Sequence, residues 1–206
     1  MIMKLEDLEG YCIHLANRKD REENMYKELD YFVPGQYNIL NGVRDPIGKV
    51  GVSKSFKNVI GSAQLKGLEQ VLVFEDDVRF TSDKSRERFQ MAMDTLPEDW
   101  DILLGGVYYC DELQDCNEYM KKVDKFSALH CALFRNTVYD KIMKHEIDGQ
   151  KTVHIDKYLS DFSDTKEKLN IYVAYPMVAI QYEGKSNTAD RVVDYKSFLD
   201  KFEILK

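Results

Sequence analysis

Four apolar residues in a row, Val71-Leu72-Val73-Phe74, run straight into three carboxylates, Glu75-Asp76-Asp77, and then Val78. A short uninterrupted apolar run fits a strand covered on both faces, as in the sheets of α/β proteins. Such a strand tolerates no charge along its length, so the acids mark where it leaves the core. In open α/β sheets, ligands bind beyond the carboxyl ends of the strands. Strand alternation puts Glu75 and Asp77 on one side and Asp76 on the other. Two converging carboxylates repel each other unless a cation lies between them. Hard oxygen donors favour Mg²⁺ or Mn²⁺, ions that keep water and add substrate phosphates as ligands. The segment therefore reads as a metal and diphosphate site. The plain alternative is an acidic turn facing water, and the position at the end of a buried strand weighs against it.

The rest of the chain alternates short strands with helical stripes, the pattern of an α/β layer fold. Strands are expected at Gly10–Leu15, Gln36–Leu40, Val71–Phe74, Asp101–Val107, Phe126–Phe134 and Ile171–Gln181. Phe56, Val59, Ile60 and Ala63 follow i, i+3, i+4, i+7 spacing and predict a helix over residues 53–68. Further helices are expected from Asn17 as N-cap through Met25 and Leu29, over Ser85–Thr95, after Asn136, along Ile155–Phe162, and in the tail Tyr195–Leu205. The polar stretch Asp111–Tyr119 reads as a loop over the site.

Composition narrows the class. The 206 residues fit one domain, and a net charge of −7 argues against a nucleic-acid partner. No apolar run approaches the ~18 residues a membrane span needs. The opening, with Lys4, Glu6, Asp7 and Glu9, does not resemble a signal peptide, so a cytoplasmic location is expected. The four cysteines, Cys12, Cys110, Cys116 and Cys131, show no C-x-x-C spacing and read as reduced thiols. Cys12 and Cys131 are expected to be buried.

A second motif follows the first strand: Ile13-His14-Leu15-Ala16-Asn17-Arg18-Lys19-Asp20-Arg21. Arginine at a helix start opposes the macrodipole, so helix propensity does not explain it. Anion binding at the first-strand crevice does, and so does a surface helix in which Arg21 pairs with a nearby acid.

Taken together and in order, these segments resemble the family 25 glycosyltransferases, which include lipopolysaccharide-type and collagen galactosyltransferases. Ile13-x-Leu15-x-x-Arg18-x-Asp20-Arg21 is similar to that family's first-strand motif, and Gly51-x-x-x-Ser55-Phe56 to its Gly-x-x-x-Ser-His element. Phe74-Glu75-Asp76-Asp77-Val78 is similar to its metal motif, a variant of Asp-x-Asp, and Trp100-Asp101-Ile102-Leu103-Leu104-Gly105 to the strand that follows. Phe126–Phe134, Val153-His154-Ile155-Asp156-Lys157-Tyr158-Leu159, Pro176–Gln181 and Ser186-Asn187 complete the set. Phe56, where His is usual, and Asn187 depart from the pattern and leave the sugar and acceptor open. The resemblance implies a single GT-A domain over 1–206: a mainly parallel, twisted sheet flanked by helices. Its Rossmann-like half, about 1–107, would bind the nucleotide sugar, and about 108–206 the acceptor. It implies a nucleotide-diphosphate-sugar donor, UDP-sugar foremost, and a glycan or glycoprotein acceptor. Asp77 would ligate Mn²⁺ or Mg²⁺, and Glu75 would reach the ribose or the ion. Leu15, Ala16, Asn17, Arg18, Arg21, Ser55 and Asp76 would line the donor. Asp156 would be the general base of an inverting transfer.

Tyr108 and Tyr109 follow a strand end and suit a sugar face, or simply pack with their hydroxyls at the surface. His130 and His154 are further acceptor-side candidates, although a lone histidine is more often structural. A module of a larger glycosyltransferase also fits, in a host cytoplasm if the chain is viral. The alternatives within the same fold are a retaining transferase, a nucleotidyltransferase releasing pyrophosphate, and a non-catalytic glycan-binding domain. A receiver domain lacks its phospho-acceptor Asp on a later strand, and a haloacid-dehalogenase phosphatase would need Asp where Glu75 stands.

Overall fold

The computed structural model describes residues 3–182 and the short strand pair Gly184–Lys185 with Val192–Val193. The elements run β1 (Gly10–His14), α1 (Lys19–Phe32), β2 (Tyr37–Asn41), α2 (Gly48–Leu65), β3 (Gln70–Glu75), β4 (Val78–Phe80), α3 (Ser85–Asp94) and β5 (Ile102–Leu104). Then come β6 (Tyr109–Cys110), β7 (Leu113–Asp115), β8 (Met120–Val123), β9 (Phe126–Ser127), β10 (Cys131–Arg135), α4 (Tyr139–Lys144), α5 (Ile155–Asp161), β11 (Ile171–Ala174) and β12 (Ala179–Gln181). The expected tail helix and Ser186-Asn187 lie outside the described residues.

Eight strands form one sheet in the order β2-β1-β3-β10-β5-β11-β8-β7. β1 pairs in parallel with β2 and β3, and β11 in parallel with β5. β10 runs antiparallel between β3 and β5, so the sheet is mixed. Alternation along β3 divides the core. Val71 and Val73 join Phe56, Val59 and Ile60 of α2, Ile142 of α4 and Leu159 of α5 on one face. Leu72 and Phe74 join Met25, Leu29 and Phe32 of α1 and Phe89 of α3 on the other. Helices therefore cover both faces, which is why β3 carries no polar residue between Val71 and Phe74. The Phe32 ring stacks on Phe80 at 4.0 Å and meets Phe74 edge-on, closing the second layer.

Several boundaries differ from expectation. α1 starts at Lys19 with Arg18 as N-cap, and no side chain caps it; the Asn17 cap does not form. α2 begins at Gly48, because Gly51 and Ser55 pack its first turns against residues 43–45. The expected strand Phe126–Phe134 divides into β9 and β10 at Ala128, whose φ of 99° breaks the extended path. Ile171–Gln181 divides at Pro176, which cannot donate to a ladder. Asp111–Tyr119 is not a lid: it carries β7 on the sheet edge, paired with β8, away from the acids of β3. No disulfide joins the four cysteines among the described residues; Cys12, Cys110 and Cys131 are buried and Cys116 is exposed. No helix among the described residues is long and apolar enough to cross a membrane.

Candidate functional site

A cavity of about 560 Å³ opens where the carboxyl ends of β1 and β3 meet the β2–α2 connection. Its floor is Ile13, Leu15, Asn17 and Arg21 from the β1–α1 segment with Glu75, Asp76 and Asp77 from β3. Residues 42–52 form one wall; Tyr108, Ala128 and Leu129 form another; His154, Ile155, Asp156 and Gln181 close the end. Of the residues singled out in the sequence, Leu15, Asn17, Arg21, Ser55, Glu75, Asp76, Asp77, Tyr108, His154 and Asp156 are thus brought together. Ala16, Arg18, Tyr109 and His130 lie outside the lining.

The strand-end acids are bound into a charge network. Arg21 Nη1 donates to Asp76 Oδ1 and pairs with Asp77 Oδ2 at 3.0 Å. The second Asp76 oxygen meets His14 Nδ1 at 2.8 Å, and His14 Nε2 faces Glu22 of α1 at 3.3 Å. Asp76 is only 7% exposed and His14 5%. Asp76 is thereby committed to His14 and Arg21, on the α1 side of the turn. Arg18 is held by Asp20, at 2.9 Å from Nε and 2.8 Å from Nη2.

Glu75 and Asp77 remain turned to the cavity and to Gln181, whose Nε2 donates to Glu75 Oε2 at 3.2 Å. Burial pushes the Glu75 carboxyl well above the usual range, and Asp77, Asp76 and Asp156 push it further; Arg21 offsets this in part. Asp77 is also raised, mainly by burial and against the pull of Arg21. Asp77 Oδ1 is buried without a hydrogen-bond partner. Surplus negative charge with an unsatisfied hard oxygen is the donor chemistry that suits Mg²⁺ or Mn²⁺. Among the described residues no group of three or more His, Cys, Asp or Glu side chains is placed to hold a metal alone. Glu75 and Asp77 could serve as two ligands, with the others coming from water and a substrate phosphate.

The wall of residues 42–52 is a braced loop. Ser55 Oγ accepts from the Val43 N–H at 2.8 Å and donates to the Gly51 carbonyl at 2.8 Å. Its hydroxyl therefore shapes the wall. A Cβ on Gly51 would lie 2.5 Å from the Val43 carbonyl oxygen, so only glycine permits this approach. Asp45 accepts from Ile47 N–H at 3.0 Å and pairs with Lys54 at 2.9 Å. The brace presents Arg44 and Lys49 to the cavity, and Lys49 Nζ also reaches the Gln150 carbonyl at 2.8 Å. Sequence reasoning missed both cations and Gln181. The Gly51-x-x-x-Ser55 spacing was the available signal, since it marks a loop drawn tightly onto a helix.

On the far wall, Asp156 Oδ2 accepts from the Ala128 N–H at 3.0 Å and Oδ1 from the Lys157 N–H at 2.7 Å. These bonds tie α5 to the β9–β10 break and orient the carboxylate. His154 is exposed at the start of α5, and Tyr108 is partly exposed over the opening. Tyr109 points elsewhere and donates to Asp111 at 2.6 Å. His130 is 1% exposed, and burial lowers its pKa to about 4, which the Ala179 backbone offsets in part. It is a core histidine whose carbonyl accepts from the Glu75 N–H at 3.1 Å.

No protein-family model matches the chain, and no curated protein matches it. Solved structures do. The chain is similar to a glycosyltransferase involved in the glycosylation of the major capsid of PBCV-1, at 8% identity and a TM-score of 0.57, covering 96% of this chain and 98% of that one. It is similar to A197 from STIV, at 13% identity and a TM-score of 0.55, over 93% of each chain. A UDP-glucose pyrophosphorylase complexed with UDP-glucose aligns at 9% identity and a TM-score of 0.51, over 96% of this chain and 82% of that one. At these identities the likeness is one of fold. The α/β architecture, a mixed sheet flanked by helices, is that of the GT-A and nucleotidyltransferase structures.

Proposed function

We propose that the chain is a metal-dependent glycosyltransferase that moves a sugar from a nucleotide-diphosphate donor, UDP-sugar foremost, to a glycan or glycoprotein acceptor. One observation carries this reading: Glu75 and Asp77, with raised pKa values, face Asp156 across a cavity at the carboxyl ends of the strands. The first-strand segment Ile13–Arg21 and the resemblance of the ordered motifs to family 25 support it, and so does the fold.

In this reading Glu75 and Asp77 would hold Mn²⁺ or Mg²⁺, which supplies charge stabilisation for the departing nucleotide diphosphate. Leu15 and Asn17 take the nucleoside beside β1. Arg44 and Lys49 add positive charge along the wall where the diphosphate would lie. Asp156, oriented by Ala128 and Lys157, takes the proton of the acceptor hydroxyl. That oxygen bonds to the anomeric carbon as the bond to the diphosphate oxygen breaks, giving inversion without a covalent intermediate. Tyr108 offers an aromatic face to a sugar ring at the opening.

Calorimetric titration of a nucleotide-sugar panel, with and without Mn²⁺, tests the reading. Metal-dependent binding of one donor is expected, and it should vanish in Asp77→Ala. Binding that persists unchanged in that variant overturns the assignment of Asp77. Release of pyrophosphate in place of nucleoside diphosphate on turnover would make the chain a nucleotidyltransferase.

A further inference from the structure

We propose that Arg21 is a shared counter-ion, exchanged between Asp77 and a donor phosphate, which makes a divalent cation and a nucleoside diphosphate bind this cavity as one unit. This rests on the reading of the cavity as a nucleotide-sugar site and adds a thermodynamic coupling to it.

The argument starts from the two unequal grips on Arg21. Its side chain is 12% exposed and pairs with both Asp76 and Asp77. Asp76 is itself locked by His14, which spans to Glu22 on the helix that carries Arg21. The contact with Asp76 is thus part of a closed loop of polar side chains, Arg21, Asp76, His14 and Glu22, joining α1 to the end of β3. The contact with Asp77 lies outside that loop and is made by one oxygen only, Oδ2, at 3.0 Å. The other, Oδ1, has no partner. Asp77 and Arg21 both line the cavity, so a ligand there can reach each of them.

A divalent cation arriving alone meets a guanidinium beside its best ligand. Like charges a few ångströms apart in a poorly screened site repel strongly. A diphosphate arriving alone meets Arg44 and Lys49 on the wall but also Glu75, Asp77 and Asp156, whose negative charge opposes it. Together the two ligands remove both penalties. The planar fork of Arg21 can keep one donor on Asp76 and turn another to a phosphate oxygen, and Asp77 is then released to the cation. Each ligand raises the affinity for the other by the same factor, as linkage requires.

Calorimetry on the full chain tests this with Mn²⁺ alone, with nucleoside diphosphates alone (UDP, GDP, ADP, CDP), and with each in Mn²⁺. For the nucleotide that binds, the wild type should show coupling of about tenfold or more between the two ligands. Arg21→Met should move the two affinities in opposite directions: tighter Mn²⁺ alone, and weaker binding of the nucleotide with Mn²⁺, each by about tenfold, with the coupling lost. Weaker binding of Mn²⁺ alone would make Arg21 a mere brace for Asp77 and overturn the proposal, as would unchanged coupling. Should Arg21→Met fail to fold, Arg21→Lys carries the test. It keeps the charge but not the fork, so Mn²⁺ alone should bind within about twofold of wild type while the nucleotide weakens by about tenfold; a parallel fall in both overturns the exchange. A wild type that binds no nucleotide even with Mn²⁺ removes the nucleotide-sugar reading itself, a result distinct from a failure of coupling.

Discussion

Ala128 holds a φ of 99°, a region that costs an L-residue backbone strain, and the Asp156 carboxylate fixes it there by accepting its N–H. Ala128→Gly should leave the denaturation midpoint equal or higher, because relief of strain outweighs the added freedom of the unfolded chain. Ala128→Val should lower stability by roughly 2 kcal/mol or more. Two buried groups set opposite pH trends. The His130 imidazole falls from 6.5 to about 4 in the folded protein. Its unfolded form takes up a proton first, so stability is full above pH ~6.5 and falls as pH drops to ~4, by about 3 kcal/mol. His130→Met should flatten that loss in urea titrations across the range, leaving a smaller slope from His145, whose pKa burial also lowers. Glu75 is raised, so its contribution is present at low pH and lost as pH rises through its folded value. Glu75→Gln should therefore be more thermostable than wild type at pH 8, the gap closing toward pH 4.5, while metal-dependent donor binding is lost.

Elements were legible where burial is two-sided or helical spacing is clear. Val71–Phe74 is apolar because both faces are covered, and Phe56, Val59, Ile60 and Ala63 all enter one layer. The break at Ala128 was not legible, since alanine gives no local sign of a left-handed backbone, whereas Pro176 marks the break between β11 and β12 by its missing N–H donor. The direction of β10 was equally hidden, because composition does not encode whether a strand runs with or against its neighbours. Of the site, the strand-end acids showed themselves, while the pairing of Arg21 with Asp76 and Asp77 depends on how α1 packs on β3. The start of α2 carries its own prediction. Gly51→Ala must push residues 43–45 outward and shift Arg44. Ser55→Ala leaves the partly buried Val43 N–H without its acceptor and should cost about 1 kcal/mol. Both variants should weaken donor binding with folding preserved, as read by calorimetry beside circular dichroism.

At the scale of the molecule, a ligand bound on the floor touches β1, β3 and the segments around them, so its binding should stabilise the whole cooperative unit. A nucleotide with Mn²⁺ at about a hundred times its Kd adds about 2.7 kcal/mol, which for a chain of this size raises Tm by roughly 5–10 °C. Differential scanning fluorimetry checks this, and no shift for Asp77→Ala is the matching expectation. Gly106, just after β5, admits no side chain, since a Cβ there would overlap the Ala179 carbonyl oxygen.

The reversed course of β10 also divides the cavity along the chain. The floor and the wall of residues 42–52 come from the ends of β1, β2 and β3 and the segments after them, all before residue 78, whereas Tyr108, Ala128, Leu129 and Asp156 come from later stretches. Because β10 runs backward, the segment that precedes it reaches the same rim as the segments that follow its neighbours. On the proposed function, donor and acceptor recognition would fall in separate blocks of sequence. On that reading, substitution at the exposed Tyr108 or His154 would vary the acceptor side while the strand-end acids are inherited intact.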